Sequence, residues 1–399
     1  MTKKSDTPAI RFKGFSDAWE QRKLGELGTI TTGSTPSTSI PDYYSDDGIV
    51  WVTPTDICEN ITFESARKLS DLGQQVGRVV PKNTILVTCI ASIGKNTMLG
   101  NTGSFNQQIN GLTPNEKECD PYFLLTESAL WSAKMKSSAA AGTMQIVNRT
   151  EFSELKTWLP NLIEQQAISD FFRQLDNLIT LHQRKFEKLT NVKKSMLEKM
   201  FPQNGSSYPE IRFKGFTDPW EQRKLGEIGS VSMCRRIFKE QTSETGDIPF
   251  YKIGTFGADP DAFISRELFE EYKSKYPYPQ KGDILISASG SIGRTVEFAG
   301  NNEYFQDSNI VWLNHDERLS NPFLKCFYSV VKWAGIEGST IKRLYNDNIL
   351  NTVICMPSVP EQKRIGLFFE NLDNLITLHQ RELEKLQNIK KSMLEKMFV

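Results

Sequence analysis

The chain has 399 residues, more than one ordinary domain holds and enough for two hydrophobic cores. Hydrophobic residues make up 38% and charged residues 24%, which is typical of a folded globular protein rather than a disordered chain. Lysine plus arginine and aspartate plus glutamate balance at 48 each, so the basic excess of a protein that binds nucleic acid alone is missing.

Three further features predict the compartment. No apolar run reaches the roughly 18 residues of a membrane span, and the start "MTKKSDTPAIRFKGF" lacks the apolar core of a secretory signal. The six cysteines form no CxxC pair, and with only three histidines a zinc site is not expected. We therefore expect a cytoplasmic protein with reduced cysteines and no bound metal.

In chain order, the sequence repeats itself. The block "IRFKGFSDAWEQRKLGELG" at 10–28 returns at 211–229 with 16 of 19 positions identical, and 159–201 returns at 356–398 with 29 of 43 identical. The segments between these blocks differ strongly, although "PKNTILVTCIASIGK" still resembles "QKGDILISASGSIGR". Passive drift after a duplication would change both kinds of segment, so the pattern indicates two modules that do the same job on different targets.

The repeat predicts an α+β protein with two mixed α/β domains and two long helices. We predict a first domain at 1–160, a long helix at 161–201, a linker at 202–210, a second domain at 211–357 and a second long helix at 358–399. Four β-branched runs predict strands: "GIVWVTPTDI", "NTILVTCI", "GDILISAS" and "NIVWLN". "YFLLTESALWSAKMKSSAAA" and "FLKCFYSVVKWAGI" predict helices, with Asp120-Pro121 and Asn321-Pro322 as their N-caps and first helical prolines.

The long helices carry apolar residues on a heptad grid, which predicts a coiled coil. The first is free of Pro and Gly from Ile163 to Met200 and would span roughly 57 Å. We predict a helix seam formed by Ile168, Phe171, Leu175, Leu178, His182 and Leu189, with Leu372, Leu375, His379 and Leu386 in the second helix. The two histidines are expected to pack at this seam rather than bind metal.

The connections predict how the two helices run. Each domain leads into the start of its own helix, and only the short linker 202–210 joins the first helix to the second domain. The helices should therefore be antiparallel about a pseudo-two-fold axis. By the same symmetry, the block at 10–28 should lie near the C-terminal end of the second helix.

Several motifs together resemble the specificity subunit of type I restriction–modification enzymes. They are "WEQRKLGELG" and "WEQRKLGEIG", "TTGSTPS" at 31–37, the loops "SIGK" and "SIGR", and the helix openings at 160–165 and 357–363. The resemblance covers essentially the whole chain. The two copies of these motifs differ at two places. The first copy has Ile163 where the second has Pro360, and the second domain has "SVSMCRR" where the first has "TITTGST". Both differences bear on what each domain recognises.

The resemblance implies a division of labour. Each of two target recognition domains would recognise one half of a bipartite DNA site, while the helices set the spacer length and dock two methyltransferase subunits. Restriction subunits would complete a complex that methylates adenine and cleaves unmodified foreign DNA. This chain would be non-catalytic and without cofactors, the methyltransferase binding S-adenosylmethionine and the restriction subunit using ATP and Mg²⁺. Shared phosphate contacts would explain the neutral charge.

Polar loops at matching places of the two domains supply the candidate DNA-binding residues, because such side chains bond base edges. In the first domain they are Thr32, Gly33, Ser34, Thr35, Lys95, Asn106, Gln107, Gln108, Asn110, Gln145, Asn148 and Arg149. In the second they are Arg235, Arg236, Lys239, Ser289, Ser291, Arg294, Gln306, Asp307, Ser308, Asn309, Lys342, Arg343, Tyr345 and Asn346. Ordinary polar surface loops would look the same in sequence.

Catalytic motifs are incomplete. "DPY" and "NPF" each lack one proline of the adenine methyltransferase motif, and "SASGSIGR" lacks the end of a phosphate loop. Pro260-Asp261 followed by Glu271 only loosely matches a metal-dependent nuclease, and His315 lies in an expected surface turn. Two alternatives stay open: a coiled-coil adaptor whose domains bind proteins, and an enzyme that methylates or cleaves DNA without partners.

Overall fold

The structure is a computed structural model that describes residues 7–90, 93–140, 146–203, 205–334 and 343–399. The chain forms two compact units: Met1–Gln183 with Arg381–Val399, and Arg184–Gln380. We call them the first and second unit. Each unit combines one mixed α/β domain with the start of the long helix that follows it and the end of the other long helix. The domains predicted from the sequence, by contrast, were continuous segments in chain order. Within the described ranges, no helix has both the length and the apolar composition of a membrane span.

Among its described residues, the first unit contains ten strands and parts of two long helices. Its strands are β1 (Glu20–Lys23), β2 (Gly28–Thr32), β3 (Tyr44–Val52), β4 (Ile61–Thr62), β5 (Lys68–Leu69), β6 (Ile85–Thr88), β7 (Asn96–Leu99), β8 (Gly103–Phe105), β9 (Ile109–Pro114) and β10 (Lys156–Leu159). Its helices are α1 (Asp71–Val76), α2 (Pro121–Ala140), α3 (Arg149–Glu154) and the start of α4 (Leu162–Lys199). Short 3₁₀ helices lie at Leu24–Glu26 and Pro41–Tyr43.

The first unit is layered around β6. Its strands form a five-stranded sheet in the order β2-β9-β6-β7-β4, a three-stranded sheet β5-β3-β8 and the pair β1-β10. Because side chains alternate along a strand, Ile85 and Val87 join the core that contains α2 residues, while Leu86 joins the core that contains β3 and β8 residues. A strand buried on both faces explains the continuous apolar run in the sequence.

The second unit repeats this plan. Its strands are β11 (Glu221–Lys224), β12 (Gly229–Ser232), β13 (Ile248–Tyr251), β14 (Phe263–Ile264), β15 (Ile284–Ser287), β16 (Thr295–Glu297), β17 (Tyr304–Phe305), β18 (Ile310–His315) and β19 (Val353–Met356). Its helices are α5 (Arg266–Lys275), α6 (Asn321–Tyr328), α7 (Asn346–Asn351) and the start of α8 (Val359–Lys396). The sheets are β12-β18-β15-β16, β14-β13-β17 and β11-β19, with 3₁₀ helices at Leu225–Glu227 and Lys239–Gln241.

Three local predictions for the second domain were wrong. The helix expected through Trp333 ends at Tyr328, and Asn321 is its first residue rather than its cap. The Asn321 side chain instead lies 2.7 Å from His315 Nε2, and His315 ends β18 rather than lying in a turn. In the first domain, Asp120 does cap α2, since its Oδ1 accepts a 2.9 Å hydrogen bond from the backbone N–H of Phe123.

The two long helices pair antiparallel inside the first unit. Lys390 forms an ion pair with Asp176 at 2.5 Å, whereas Phe398, which follows α8, packs on Phe172, earlier in α4, at a ring distance of 5.8 Å. The backbone N–H of Ile10 donates to Lys396 O at 2.9 Å, so the opening block does lie at the C-terminal end of α8. This is the direction predicted from the connections.

The second unit pairs its own helix segments in the same way. Lys193 forms an ion pair with Asp373 at 2.5 Å, and the backbone N–H of Ile211 donates to Lys199 O at 2.9 Å. Phe201 then stacks on Phe323 at 5.3 Å. The same residue types thus fix the end of a long helix in both units.

The buried stripe of the helices differs from the predicted seam by one column. Ile168, Leu175 and Leu372 are buried, whereas Leu178 is 46% and Leu375 44% exposed. Phe171, His182, Leu189, His379 and Leu386 are half-buried. The buried residue next to Ile168 is Phe172, four residues later, whereas the prediction chose Phe171, three residues later. Leu178 lies one heptad after Phe171, and Leu375 is its equivalent in α8, so both fall outside the seam.

The repeated Glu-Gln at each helix start joins the helix to its domain. Gln165 Oε1 accepts from Asp120 N at 2.9 Å, and its Nε2 donates to Pro160 O at 2.9 Å. The adjacent Glu164 is fully buried and forms a two-pronged pair with Arg11 at 2.6 and 2.7 Å. The matching residues in the second unit, Gln362 and Glu361, make equivalent bonds to Ser320, Pro357 and Arg212. These motif residues therefore hold the scaffold together.

Candidate nucleic-acid interface

The candidate residues of the first unit gather at one edge of its five-stranded sheet. Thr32 pairs with Asn110, Thr88 with Ile109, and Val87 with Asn96. The end of β2, the start of β9, the end of β6 and the start of β7 therefore share that edge. We call it the first polar edge, formed by residues 32–35, 95, 106–110 and 146–149.

Hydrogen bonds join these loops. Thr32 Oγ1 donates to Asn110 Oδ1 at 2.7 Å, and Asn110 Nδ2 donates to Val147 O at 3.1 Å. The backbone N–H of Val147 in turn donates to Cys89 O at 3.0 Å. The segment around Asn148 thereby reaches this edge, while Gln145 lies outside the described residues.

Burial divides the candidates of the first polar edge. Thr35, Lys95, Gln107, Asn148 and Arg149 are exposed, and Thr32, Ser34 and Gln108 are half-buried. Asn106 and Asn110 are 8% and 2% exposed, so we reassign them from base contact to holding the loops. Gly33 is buried as well, and it packs so closely that a Cβ at this position would lie 2.1 Å from Asn106 O. Asn148 also caps α3, since its Oδ1 accepts from Glu151 N at 3.0 Å.

Two residues that the sequence did not single out fix the loop at 32–35. Arg78 Nη1 donates to Thr32 O at 2.6 Å, and the Arg78 backbone N–H donates to Ser34 Oγ at 3.0 Å. Trp51 Nε1 donates to Ser34 O at 3.0 Å. Both lie far from this loop in sequence, and no local pattern marks them.

The glycine turns at Ile93–Lys95 and Ile292–Arg294, in the "SIGK" and "SIGR" motifs, share two features. Gly94 and Gly293 each adopt φ of +82°, a conformation that favours glycine. The next residue bonds back to the preceding strand, Lys95 N to Thr88 Oγ1 at 2.8 Å and Arg294 N to Ser287 Oγ at 2.9 Å. The glycine turn thus presents a cation at the same place in each unit.

The second unit forms an equivalent second polar edge, made of residues 233–239, 288–294, 306–309 and 343–346. Ser287 pairs with Ile310 and Ile286 with Thr295, which places the ends of β12 and β15 beside the starts of β18 and β16. Ser289 Oγ donates to Asn309 Oδ1 at 2.8 Å. Leu344 N donates to Ala288 O at 2.7 Å, which brings the segment at 343–346 to the edge.

The candidates of the second polar edge are more basic. Arg235, Arg236, Lys239, Ser291, Arg294, Tyr345 and Asn346 are exposed, and Ser289, Gln306, Asp307, Ser308, Asn309 and Arg343 are half-buried. Gln306 supports the edge from within, because its Oε1 accepts from Ile253 N at 2.9 Å. Lys342 lies outside the described residues. Where the first edge offers mainly hydroxyls and amides, the second offers guanidinium groups.

Two acidic residues of the incomplete catalytic motifs have structural roles. Asp261 forms an ion pair with Lys252 at 2.8 Å, and Asp120 is a helix cap. Within the described residues, no group of three or more His, Cys, Asp or Glu side chains is arranged to hold a metal ion.

Comparison with known proteins shows the same two-fold repeat of one domain family in this chain. Residues 16–191 and 217–388 match the family "Type I restriction modification DNA specificity domain", once in each half of the chain. A putative type I restriction enzyme specificity subunit of Haemophilus influenzae is 61% identical over 158 residues, 39% of this chain and 41% of that protein, so the match spans less than half of that relative. The type I restriction enzyme MjaIX specificity subunit of Methanocaldococcus jannaschii is 25% identical over 95% of this chain and 92% of its own.

A solved structure shares the fold. The S subunit of a type I restriction-modification system from M. genitalium superposes with a TM-score of 0.68 over 98% of this chain and 99% of its own, at 17% sequence identity. The two mixed α/β units with paired long helices are thus the fold of a type I S subunit. The chain belongs to the family of type I restriction–modification DNA specificity proteins, the non-catalytic DNA-recognition components of these systems.

Proposed function

We propose that this chain selects the DNA target of a type I restriction–modification complex, each unit recognising one half of a bipartite site. The observation that carries the proposal is the pair of polar edges. They occupy the same place in the fold, yet the first presents mainly hydroxyls and amides with one exposed arginine, whereas the second presents three exposed arginines. A shared fold with different hydrogen-bonding groups is what two different half-sites require.

The long helices supply the spacing in this proposal. Each is 38 residues long, and their buried stripe follows one heptad pattern through both copies. A paired helix of fixed length keeps the distance between half-sites constant, which a flexible linker would not do.

Docking of two methyltransferase subunits is proposed on the exposed side of the same helices. Leu178 and Leu181 of α4 are each 46% exposed, and Leu375 and Leu378 of α8 are 44% and 52% exposed. These leucines belong to the decapeptide "LDNLITLHQR", which occurs in both helices. Identical apolar patches on two helices suit two identical partners.

The chemistry belongs to the partners. S-adenosylmethionine would be bound by the methyltransferase, and ATP with Mg²⁺ by the restriction subunits, so this chain directs adenine methylation and the cleavage of unmodified DNA. In a complex of this kind the partners also share the phosphate contacts, which suits a chain of zero formal net charge.

A binding selection tests the proposal. The chain, purified with its methyltransferase subunit, is incubated with random DNA duplexes, and the bound fraction is sequenced. We expect enrichment of two short constant blocks with a fixed gap. An assembled complex that enriches no sequence would contradict DNA specificity and favour a protein adaptor, whereas methylation or cleavage by the chain alone would favour a self-sufficient enzyme.

A further inference from the structure

Arg235 differs from the other arginines of the second polar edge. Arg236 Nε donates to Asp307 Oδ2 at 2.9 Å, Arg294 Nη2 to Gly257 O at 3.3 Å and Arg343 Nη2 to Ser308 O at 3.3 Å. The exposed guanidinium of Arg235 lies over the ring of Tyr276, with 5.2 Å between Cζ and the ring centroid, and Arg343 lies over Tyr345 in the same way at 5.8 Å. In the described part of the chain, no hydrogen bond from this guanidinium to a protein acceptor is present.

Tyr276 is itself held in place by aromatic packing. It ends α5, where its backbone N–H donates to Tyr272 O at 2.9 Å, and its ring meets the Tyr272 ring edge-on at 5.4 Å and 80°. The Tyr272 ring then packs at 6.2 Å on Tyr304, which is fully buried. A row of rings therefore runs from the core to the surface and supports the guanidinium from below.

The backbone on both sides of Arg235 is anchored. Cys234 is 2% exposed and belongs to the same core as Tyr304. On the other side, the ion pair of Arg236 with Asp307 joins the loop to the start of β18. Both the main chain and the side chain of Arg235 are thus ordered before any ligand arrives, which lowers the entropic cost of binding.

We propose that Arg235, stacked on Tyr276, recognises a guanine in the half-site bound by the second unit. Stacking on a ring leaves the in-plane N–H groups of a guanidinium free, and their fork matches O6 and N7 of guanine in the major groove. At the first polar edge the guanidinium of Arg78 instead donates to Thr32 O, which leaves Arg149 as the exposed arginine of that edge. This inference rests on the proposed function and names the base that one of its side chains recognises.

The test uses the assembled complex of chain and methyltransferase. The wild-type target is first obtained by selection from random duplexes, and Kd is then measured for duplexes in which each base pair of both half-sites is changed in turn. Arg235→Ala and Arg235→Lys are compared with wild type, since lysine keeps the charge but loses the fork. Tyr276→Ala and Tyr276→Phe test the ring, and Arg318→Ala removes an exposed arginine from the opposite edge of the same sheet as a control.

We expect Arg235→Ala and Arg235→Lys each to lose the preference for one G·C pair, about tenfold or more, with the other half-site unchanged. Tyr276→Phe should keep this preference, Tyr276→Ala should weaken it, and Arg318→Ala should bind like wild type. If Arg235→Ala lost affinity equally for all duplexes, the side chain would contact phosphate and the inference would be overturned. It would also be overturned if Arg235→Ala kept the wild-type base preference, or lost the preference for an A·T pair instead of a G·C pair. A wild-type complex that enriches no bipartite sequence would instead contradict the proposed function.

Discussion

At the scale of single residues, Glu127 is a carboxyl group in the core of the first unit. It is 3% exposed, its Oε1 accepts from Trp158 N at 3.3 Å, and its Oε2 has no hydrogen-bond partner within the described residues. Burial raises the pKa of Glu127 from 4.5 to about 7 because the charged form loses its hydration. The folded first unit therefore favours the protonated acid.

This raised pKa makes stability depend on pH. Because the folded state holds the proton more tightly, the free energy of unfolding should fall as pH rises from 4.5 to about 7 and then level off. Glu127→Gln removes the ionisation, so it should gain up to about 3 kcal/mol at pH 8 and little at pH 4. Urea unfolding across this pH range measures the difference.

A matched control lies in the second unit. Tyr328 of α6 is also buried, with a hydroxyl that has no hydrogen-bond partner within the described residues, but burial raises the pKa of that hydroxyl further above neutral. Tyr328→Phe should change stability equally at pH 5 and pH 8. A Glu127→Gln effect independent of pH would show that the carboxyl has the same pKa in the folded and unfolded states, and would contradict the raised pKa.

The sequence predicted which loops form the polar edges but not which side chains in them are accessible. Matching positions in the two halves were enough to find the loops. The burial of Asn110 depends on its bond to Val147, and the anchoring of the loop at 32–35 depends on Arg78 and Trp51. These contacts join distant parts of the chain, and without the folded backbone no local pattern indicates them.

At the scale of elements, the register of the helix stripe was the harder prediction. An apolar residue stands both three and four residues after Ile168, at Phe171 and at Phe172. Only packing decides between them: Phe172 is fully buried against Phe398, while Phe171 is half-buried. The existence, length and direction of the helices followed from the sequence because those features depend on repeats and connections rather than on one contact.

The residues that follow the C-terminal ends of the two long helices should each stabilise a different unit. Phe398 packs on Trp19 at 6.1 Å and on Phe123 at 5.4 Å, so Phe398→Ala should destabilise the first unit by about 3–5 kcal/mol. Phe201 packs on Trp220 and Phe323, so Phe201→Ala should do the same to the second unit.

Hydrogen exchange resolved by peptide measures both variants. Phe398→Ala should speed exchange in the strands of the first unit, and Phe201→Ala in those of the second. If either variant affected both units alike, or the opposite one, the assignment of these helix ends to separate cores would be wrong.

At the scale of the whole molecule, the exposed leucines test partner docking. Leu178→Glu with Leu375→Glu should reduce assembly with the methyltransferase at least tenfold while leaving the fold intact, because both side chains are exposed in the free chain. Gel filtration of co-expressed subunits measures assembly. Asn177→Glu with Asn374→Glu, adjacent exposed positions, is the control and should assemble normally if apolar contact rather than charge decides.

The spacer prediction also belongs to the whole molecule. Inserting one heptad after both Gln183 and Gln380 keeps the helix pairing in register and adds about 10 Å, so the gap between half-sites should grow by about three base pairs. Both half-sites should stay the same. Insertion in one helix alone should impair folding or assembly, and altered half-sites would mean that the helices themselves contact bases.

The central claim is that each unit recognises its own half of one DNA site. The chain is expressed with its methyltransferase subunit in a host free of adenine methylation, and modified adenines are mapped across the genome by single-molecule sequencing. The account predicts a bipartite motif, modified on opposite strands on either side of a fixed gap. A single continuous motif, or no modification by an assembled complex supplied with S-adenosylmethionine, would contradict it.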